Sequence, residues 1–376
     1  MSNNAVGIIF SSLNDATLSC LTTDRTVAAI PFASRYRLID FCLSNFINAD
    51  IYNINVVANY NYRSLVDHIG SGKDFDLARR EGGINFISPY HTSRSSVAKL
   101  FTTHLEALIG MSDYIDGIKE DFVIMMDSDH VINVDLRSVL RSHVNSARPL
   151  TVATVEIDKD CRFKSERMMI QSRDNLVTDI SMSNTFMREN PELCINLYVI
   201  NTEYLKKLIR EAVAYRTISL TGLLLKRHKT DRFHRYKYDG YMACVSDLYD
   251  YYKASIELAT NESRRAMLFG KKDYPIYTRV HNSSPTMHMA ASGAKNSIIA
   301  DECVIEGEVV NSVIFRNVHI EKGAVVKNSV LFHGTHVGKN SSLNCIVTDK
   351  HVYLSEGVIL SGDESAPFYI EKGRKI

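Results

Sequence analysis

"NSIIADECVIEGEVVNSVIFRNVHIEKGAVVKNSVLFHGTHVGKNSSLNCIV" (296–347) carries two superimposed periods. Apolar residues recur at every sixth position: Ile298, Val304, Val310; Val325, Leu331, Val337, Leu343; and, running past the stretch, Ile346, Val352, Val358. Six is neither the helical period nor the two-residue period of an ordinary strand. On top of it sits a longer repeat: "NSII" at Asn296, "NSVI" at Asn311, "NSVL" at Asn328 and "NCIV" at Asn344, recurring at nearly even intervals, one coil of such a solenoid each. Each six-residue unit reads as one flat face of a three-sided prism, with an aliphatic filling the interior and stacked coils pairing their backbones. A β-sandwich with a coincidental spacing of six accounts for one period but not both. The stretch therefore predicts a left-handed parallel β-helix of hexapeptide repeats over 291–376.

Working outward, "YPIYTRVHNSSPT" holds two of the seven prolines and reads as part of a linker, 261–290, behind an amphipathic helix in "SDLYDYYKASIELA". Over 1–260, short β-branched runs ("VGIIF", "INVVA", "DFVIMM", "LTVATVEI", "INLYVI") alternate with helical segments near Asp40–Asn48, Tyr62–Gly70, Leu136–Ala147 and Thr202–Tyr215. Such alternation predicts a Rossmann-like α/β domain, its mostly parallel sheet covered on both faces. Ligands of such sheets bind beyond the carboxyl ends of the strands, which directs attention to the loops after Phe10 and Met126.

Forty-four basic against forty-three acidic residues leave a net charge of +1 over 376 residues, which favours neither nucleic acid nor an anionic membrane. The seven cysteines (Cys20, Cys42, Cys161, Cys194, Cys244, Cys303, Cys345) form no Cys-x-x-Cys pair, against a disulfide framework or zinc knot. With no secretory pattern in "MSNNAVGIIF" and no run of eighteen apolar residues, the expectation is a cytoplasmic protein.

"IPFASRYRLIDFCLSNFINADI" (30–51), "MDSDHVINVDL" (126–136) and "YYKASIEL" together resemble the glucose-1-phosphate adenylyltransferase (ADP-glucose pyrophosphorylase) family, in particular its GlgD-type glycogen biosynthesis branch. The resemblance spans nearly the whole chain and implies a nucleotidyltransferase domain followed by the β-helix. The implied reaction joins ATP and glucose 1-phosphate into ADP-glucose and pyrophosphate, through cations, backbone amides and magnesium arranged around phosphate charge.

Those groups are missing where the resemblance would put them. The family's glycine-rich loop falls on "SLNDATL", with Leu13 and Asp15 at glycine positions and Thr17 at the arginine position. Val27 stands where a phosphate-binding lysine would be, and Met182 falls within the sugar-phosphate motif. Asp129 matches one magnesium ligand, but Cys244 falls on the other, so no metal site is expected. At about 3 kcal/mol per lost group, four losses that partly overlap total roughly 10 kcal/mol, about seven decades in rate. The resemblance thus implies a non-catalytic or very weakly active subunit that requires no cofactor. It would associate with the catalytic subunit in a homo- or heterotetramer and activate or stabilise it. The alternative is a functional adenylyltransferase with atypical site residues, which would need magnesium.

Arg25 and Arg37 match basic positions near the family's regulatory anion site and are candidates for a sugar-phosphate or nucleotide effector, against the plainer reading that Arg37 pairs with Asp40 or caps a turn. "DSD" (127–129) also resembles the Asp-x-Asp pair of sugar-nucleotide glycosyltransferases, which leaves the repeats unexplained. His319, His333 and His336 lie in the repeats, where related β-helices place a histidine base or simply face histidines to solvent. The basic run "KRHKTDRFHRYKY" (226–238) reads as a solvated face rather than an RNA contact.

Overall fold

The computed structural model describes residues 4–13, 15–79, 82–89, 100–157, 166–184, 192–290 and 292–376. Cys161 lies outside them. The first half builds a nine-stranded sheet from β1 (Ala5–Phe10), β2 (Asn53–Val57), β3 (Gly83–Ile87), β4 (Phe122–Asp127), β6 (Leu150–Glu156), β7 (Arg167–Arg173), β8 (Leu176–Ser183), β9 (Glu192–Asn201) and β10 (His234–Lys237). A short ribbon pairs β5 (His130–Ile132) with β11 (Met242–Cys244).

Strand order in the large sheet is β3-β2-β1-β4-β9-β6-β10-β8-β7. The β3-β2-β1-β4 half is parallel, as the strand–helix alternation predicts. The other half is mixed: β9 runs antiparallel to both β4 and β6, and β7 and β8 form an antiparallel pair. "Mostly parallel" therefore holds for one half only, because the β7–β8 hairpin adds strands with no helical crossover between them.

Both faces of the sheet are covered. Along β1, Val6, Ile8 and Phe10 enter one core with Leu205 and Leu208 of α3 (Thr202–Tyr215) and Leu223 of α4 (Leu220–Asp231). Ala5 and Ile9 enter the other with Phe46 of α1 (Leu38–Asn48) and Leu140 of α2 (Leu136–Ser146). The strand's alternation of side chains supplies both cores at once.

After α5 (Leu248–Thr260) and α6 (Glu262–Phe269), the chain turns at Lys271–Tyr274, runs without regular secondary structure to Thr286 and is strapped onto α1. The Asn48 side-chain amide donates to the Pro275 carbonyl (3.0 Å), the Tyr277 amide to Ser44 Oγ (2.8 Å), and the Thr278 hydroxyl to Asp40 (2.6 Å).

From Met287 onward, three parallel five-stranded sheets form the left-handed β-helix. Their short strands pair in register, Ile298 with Val313, Val313 with Val330 and Val330 with Val347, so the last two of these coils are equal in length. This corrects the sequence repeat, which closes one position early: Cys345, not Asn344, is the register equivalent of Asn328, and both have positive φ (54° and 45°). The asparagines still form a side-chain ladder, Asn296 to Asn311 (3.2 Å), Asn311 to Asn328 (3.1 Å) and Asn328 to Asn344 (3.1 Å). Asparagine suits these corners because it tolerates the left-handed backbone and satisfies its amide on the next coil.

The six-residue phase also needs correction. Leu331, Val337, Leu343, Ile346 and Val352 do fill the prism, but Ile298, Val304, Val310, Val325 and Val358 are only partly buried. Ile305, Val309, Val326 and Leu354 are inside instead. Neighbours on a short strand point opposite ways, so a slip of one position in phase exchanges interior for exterior. The outward residues of one face have their own use: Val313, Val330, Val347, Phe315 and Phe332 pack on Tyr251, Tyr252 and Leu258 of α5. This packing joins the two halves.

Candidate functional site

The carboxyl ends of β1 and β4 meet in the expected crevice, where the described residues pack tightly. Phe10, Ser11, Ser12, Leu13, Val27 and Asp127–Asp129 leave about 10 Å³ between them, room for about one water. Polar groups of the loop after β1 are bonded within the protein. The Ser11 hydroxyl donates to the Val57 carbonyl (2.7 Å), Ser12 Oγ accepts from the Asn59 amide (3.0 Å), and Asp15 Oδ1 accepts from the Val27 amide (2.8 Å). Asp15 therefore does not face a polyphosphate: its carboxylate is turned inward, and burial pushes its pKa up to about 7 against the pull of the Val27 amide. Val27 is 2% exposed and packs among Leu18, Leu21 and Ile30, whereas Thr17 is exposed at the surface.

Beneath the crevice Asp127 is pinned from both sides, by His104 Nε2 (2.7 Å) and by the Asn196 side-chain amide (2.8 Å). Burial would lower the His104 pKa, but the Asp127 carboxylate raises it. In the adjoining ribbon Cys244 pairs in register with His130, and Asp129 Oδ1 lies 2.6 Å from His130 Nδ1. Donor atoms of Asp129, His130 and Cys244 all come within 4.8 Å of one another. The two positions that resemblance assigned to a metal are thus neighbours in space. One carboxylate with an imidazole and a thiol is a poor fit for magnesium, which favours hard oxygen ligands.

Met182 stands apart from the other four positions. It lies on the outer hairpin, in register with Met168 and 41% exposed.

A larger concavity opens where the α/β half meets the β-helix. Its volume is about 240 Å³, and its lining includes Arg35, Arg37, Arg316, Lys350, His68, His281 and His333, with Glu302 the single carboxylate among the described lining residues. Arg37 begins α1, its own amide bonded to Asp40 (2.9 Å), while its guanidinium reaches Ser64 Oγ (2.9 Å). Burial, more than the neighbouring Arg25 and Arg279, pushes its pKa down to about 10. Burial, then the charges of Arg37 and Arg25, push the Lys350 ammonium down to about 8. Burial lowers Arg316, His281 and His333 as well. Arg35, Arg37, Arg316 and Lys350 against one lining carboxylate make a pocket complementary to a small polyanion, although Asp40 behind His68 (2.6 Å) and Asp301 beside Arg316 (3.7 Å) offset part of that charge.

Arg25, the other anion candidate, is not in this lining. It is 3% exposed, and one guanidinium nitrogen lies 2.7 and 2.9 Å from the two Asp349 oxygens, an ion pair that crosses from the α/β half to the β-helix. Asp349 also accepts from the Tyr369 hydroxyl (2.7 Å) and the Lys350 amide (2.6 Å).

Sequence reasoning missed Arg35, Arg316 and Lys350 as pocket residues. A signal existed: Arg316, His333 and Lys350 stand at the same offset beyond the register set Val313, Val330, Val347, so one corner of three successive coils is basic. Of the histidines singled out in the β-helix, His319 and His336 lie on a different face, described below.

A nucleotidyl transferase family model matches residues 8–163, and a GlmU-like C-terminal hexapeptide model matches 282–367. The chain is 33% identical over 375 residues to the glycogen biosynthesis protein GlgD of Bacillus subtilis, covering 99% of this chain and 96% of that protein. It is 29% identical over 335 residues to the glucose-1-phosphate adenylyltransferase of Thermosipho africanus, covering 86% of this chain and 78% of that one. It is 26% identical over 366 residues to that of Bacillus thuringiensis, covering 96% and 95%. No helix among the described residues is long and apolar enough to cross a membrane. With the two-part architecture and these relatives together, the chain belongs to the nucleotidyltransferase family that includes GlgD and the glucose-1-phosphate adenylyltransferases.

Proposed function

We propose that this protein is a cytoplasmic regulatory subunit of glycogen biosynthesis, with negligible catalysis of its own. It associates with a catalytic glucose-1-phosphate adenylyltransferase in a homo- or heterotetramer and activates or stabilises it. The carrying observation is Val27, buried in apolar packing at the position that resemblance gives to a phosphate-binding cation, beside a pocket with room for about one water among the described residues. A donor set unsuited to magnesium agrees with this, and the reading requires no cofactor. The basic concavity between the halves is where a sugar phosphate or nucleotide would act, stabilising one relative arrangement of the two and thereby biasing the partner.

Co-expression with the catalytic homologue of the same organism, followed by co-purification and a rate assay with and without this chain, tests the proposal. A stable complex with a raised rate is expected. Failure to associate, or ordinary turnover of ATP and glucose 1-phosphate by this chain alone, would overturn it. The rival reading is an active enzyme with substitute residues, favoured by adenylyltransferase relatives that match most of the chain. Calorimetric titration separates the two, since that reading requires tight magnesium-dependent ATP binding.

A further inference from the structure

The β-helix carries a cluster of metal-ligating side chains far from the crevice and away from the face that packs on α5. His319 and His336 are register partners on adjacent coils of one parallel sheet, with ring centroids 5.0 Å apart. Glu321 follows His319 at the next position but one, so strand alternation turns it to the same side. Donor atoms of His319, Glu321 and His336 all lie within 4.8 Å of one another.

The surroundings hold these groups in place. Glu321 Oε2 accepts from the Lys339 amide (3.1 Å), while Oε1 lies 3.4 Å from His336 Nε2. The His336 ring stacks on Tyr353 of the next coil, 4.7 Å between centroids with planes 2° apart. A second carboxylate, Glu306, lies 3.4 Å from His319 Nε2. The side chains of His319 and His336 are 38% and 24% exposed, so water and ions reach them.

From this juxtaposition we infer that His319, Glu321 and His336 form a binding site for a divalent transition cation of the zinc class. Two imidazoles and one carboxylate suit zinc, nickel or copper rather than magnesium or calcium. Tetrahedral zinc with bonds of about 2.0–2.1 Å needs donor atoms roughly 3.3 Å apart, so an ion would draw together donors that now lie within 4.8 Å, chiefly by moving the more exposed His319 ring. The rigid backbone ladder sets the spacing of the two histidines, and the Lys339 amide and the Tyr353 ring orient Glu321 and His336, as outer groups do around metal ligands. A bound cation would tie two coils together across this face.

The test is titration of chelator-stripped full-length protein with zinc against a chromophoric chelator, with cobalt as the spectroscopic stand-in. One zinc per chain is expected, with a higher melting temperature when zinc is present. His319→Ala and His336→Ala should each weaken binding by more than about tenfold, and Glu321→Gln by less, while the melting temperature without metal stays near that of the parent. The cobalt complex should show ligand-field bands without thiolate-to-metal charge transfer. No saturable zinc binding would overturn the inference. So would binding that survives both histidine replacements, or a thiolate band that disappears in Cys244→Ser, which would move the ion to the Asp129, His130, Cys244 cluster.

Discussion

Arg25→Met separates two incompatible roles for one residue. If Arg25 holds an anionic effector, the variant should lose anion binding and keep its stability. If it is the buried tie to Asp349, the reverse holds. The side chains of Arg25 and Asp349 are 4% and 5% exposed, so neither charge is solvated when its partner is removed. Stripping one member of such a pair costs about 3–5 kcal/mol. The Tyr369 hydroxyl and the Lys350 amide still donate to Asp349, which places the expected loss near the lower end, about 3 kcal/mol. At about 2–4 °C per kcal/mol, the melting temperature should fall by roughly 6–12 °C. Arg25→Met/Asp349→Asn should recover part of this, because the double variant buries no uncompensated charge. The assay pairs thermal and denaturant unfolding with a pyrophosphate titration, pyrophosphate standing in for a small polyanion. A loss below about 1 kcal/mol, the range of an exposed ion pair, would refute the buried tie, as would weakened pyrophosphate binding at unchanged stability.

Arg316→Ala and Lys350→Met should each weaken pyrophosphate binding, and wild-type affinity should fall as pH rises through about 8, where Lys350 discharges; Lys350→Met should remove that step in a calorimetric pH series. Asp15 has a folded pKa of about 7, raised from 3.8, so its contribution to stability is present below pH 4 and is lost as pH rises to 7. Asp15→Asn keeps an acceptor for the Val27 amide, so it should stabilise the protein at pH 8 and flatten the pH 4–7 slope of unfolding free energy; an unchanged slope would contradict the burial argument. Asn328→Ala should cost about 1–2 kcal/mol more than Asn328→Gly in denaturant unfolding, because both lose the ladder but only alanine is strained at φ 45°.

The β-helix was legible because its signal is repetition, and repetition survives local variation: two periods over 296–347 identify the fold even though the phase is off by one position at Ile298 and Val304. Phase is harder because Ile298 and Ile299 are both apolar, one facing α5 and the other the prism, and hydrophobicity does not distinguish two buried sides. The parallel half of the sheet followed from strand–helix alternation, while the Arg167–Ser183 hairpin breaks that alternation and was missed. At the crevice, positions were legible and orientations were not. The inward turn of Asp15 was not legible, since a loop carboxylate has local amides to choose from as well as a ligand. The pairing of Cys244 with His130 depends on a ribbon whose two strands have most of the α/β sheet between them in sequence, beyond the reach of local patterning.

Positive charge sits differently in this molecule than phosphoryl chemistry would require. Among the described residues the crevice offers Val27, a turned-in Asp15 and a crossed Asp127–His104 pair, none of which can neutralise a triphosphate. Arg35, Arg37, Arg316 and Lys350 converge instead at the seam between the halves, where Lys350 is already depressed to about 8 by burial and like charge. Crowding cations in a partly buried seam destabilises the anion-free molecule, and an anion relieves that repulsion in proportion to how closely the seam closes on it. The Arg25–Asp349 pair, the Lys372–Asp24 pair (2.7 Å) and the α5 packing hold the halves together against this repulsion. An anion bound at this seam would therefore be thermodynamically linked to the relative placement of the halves.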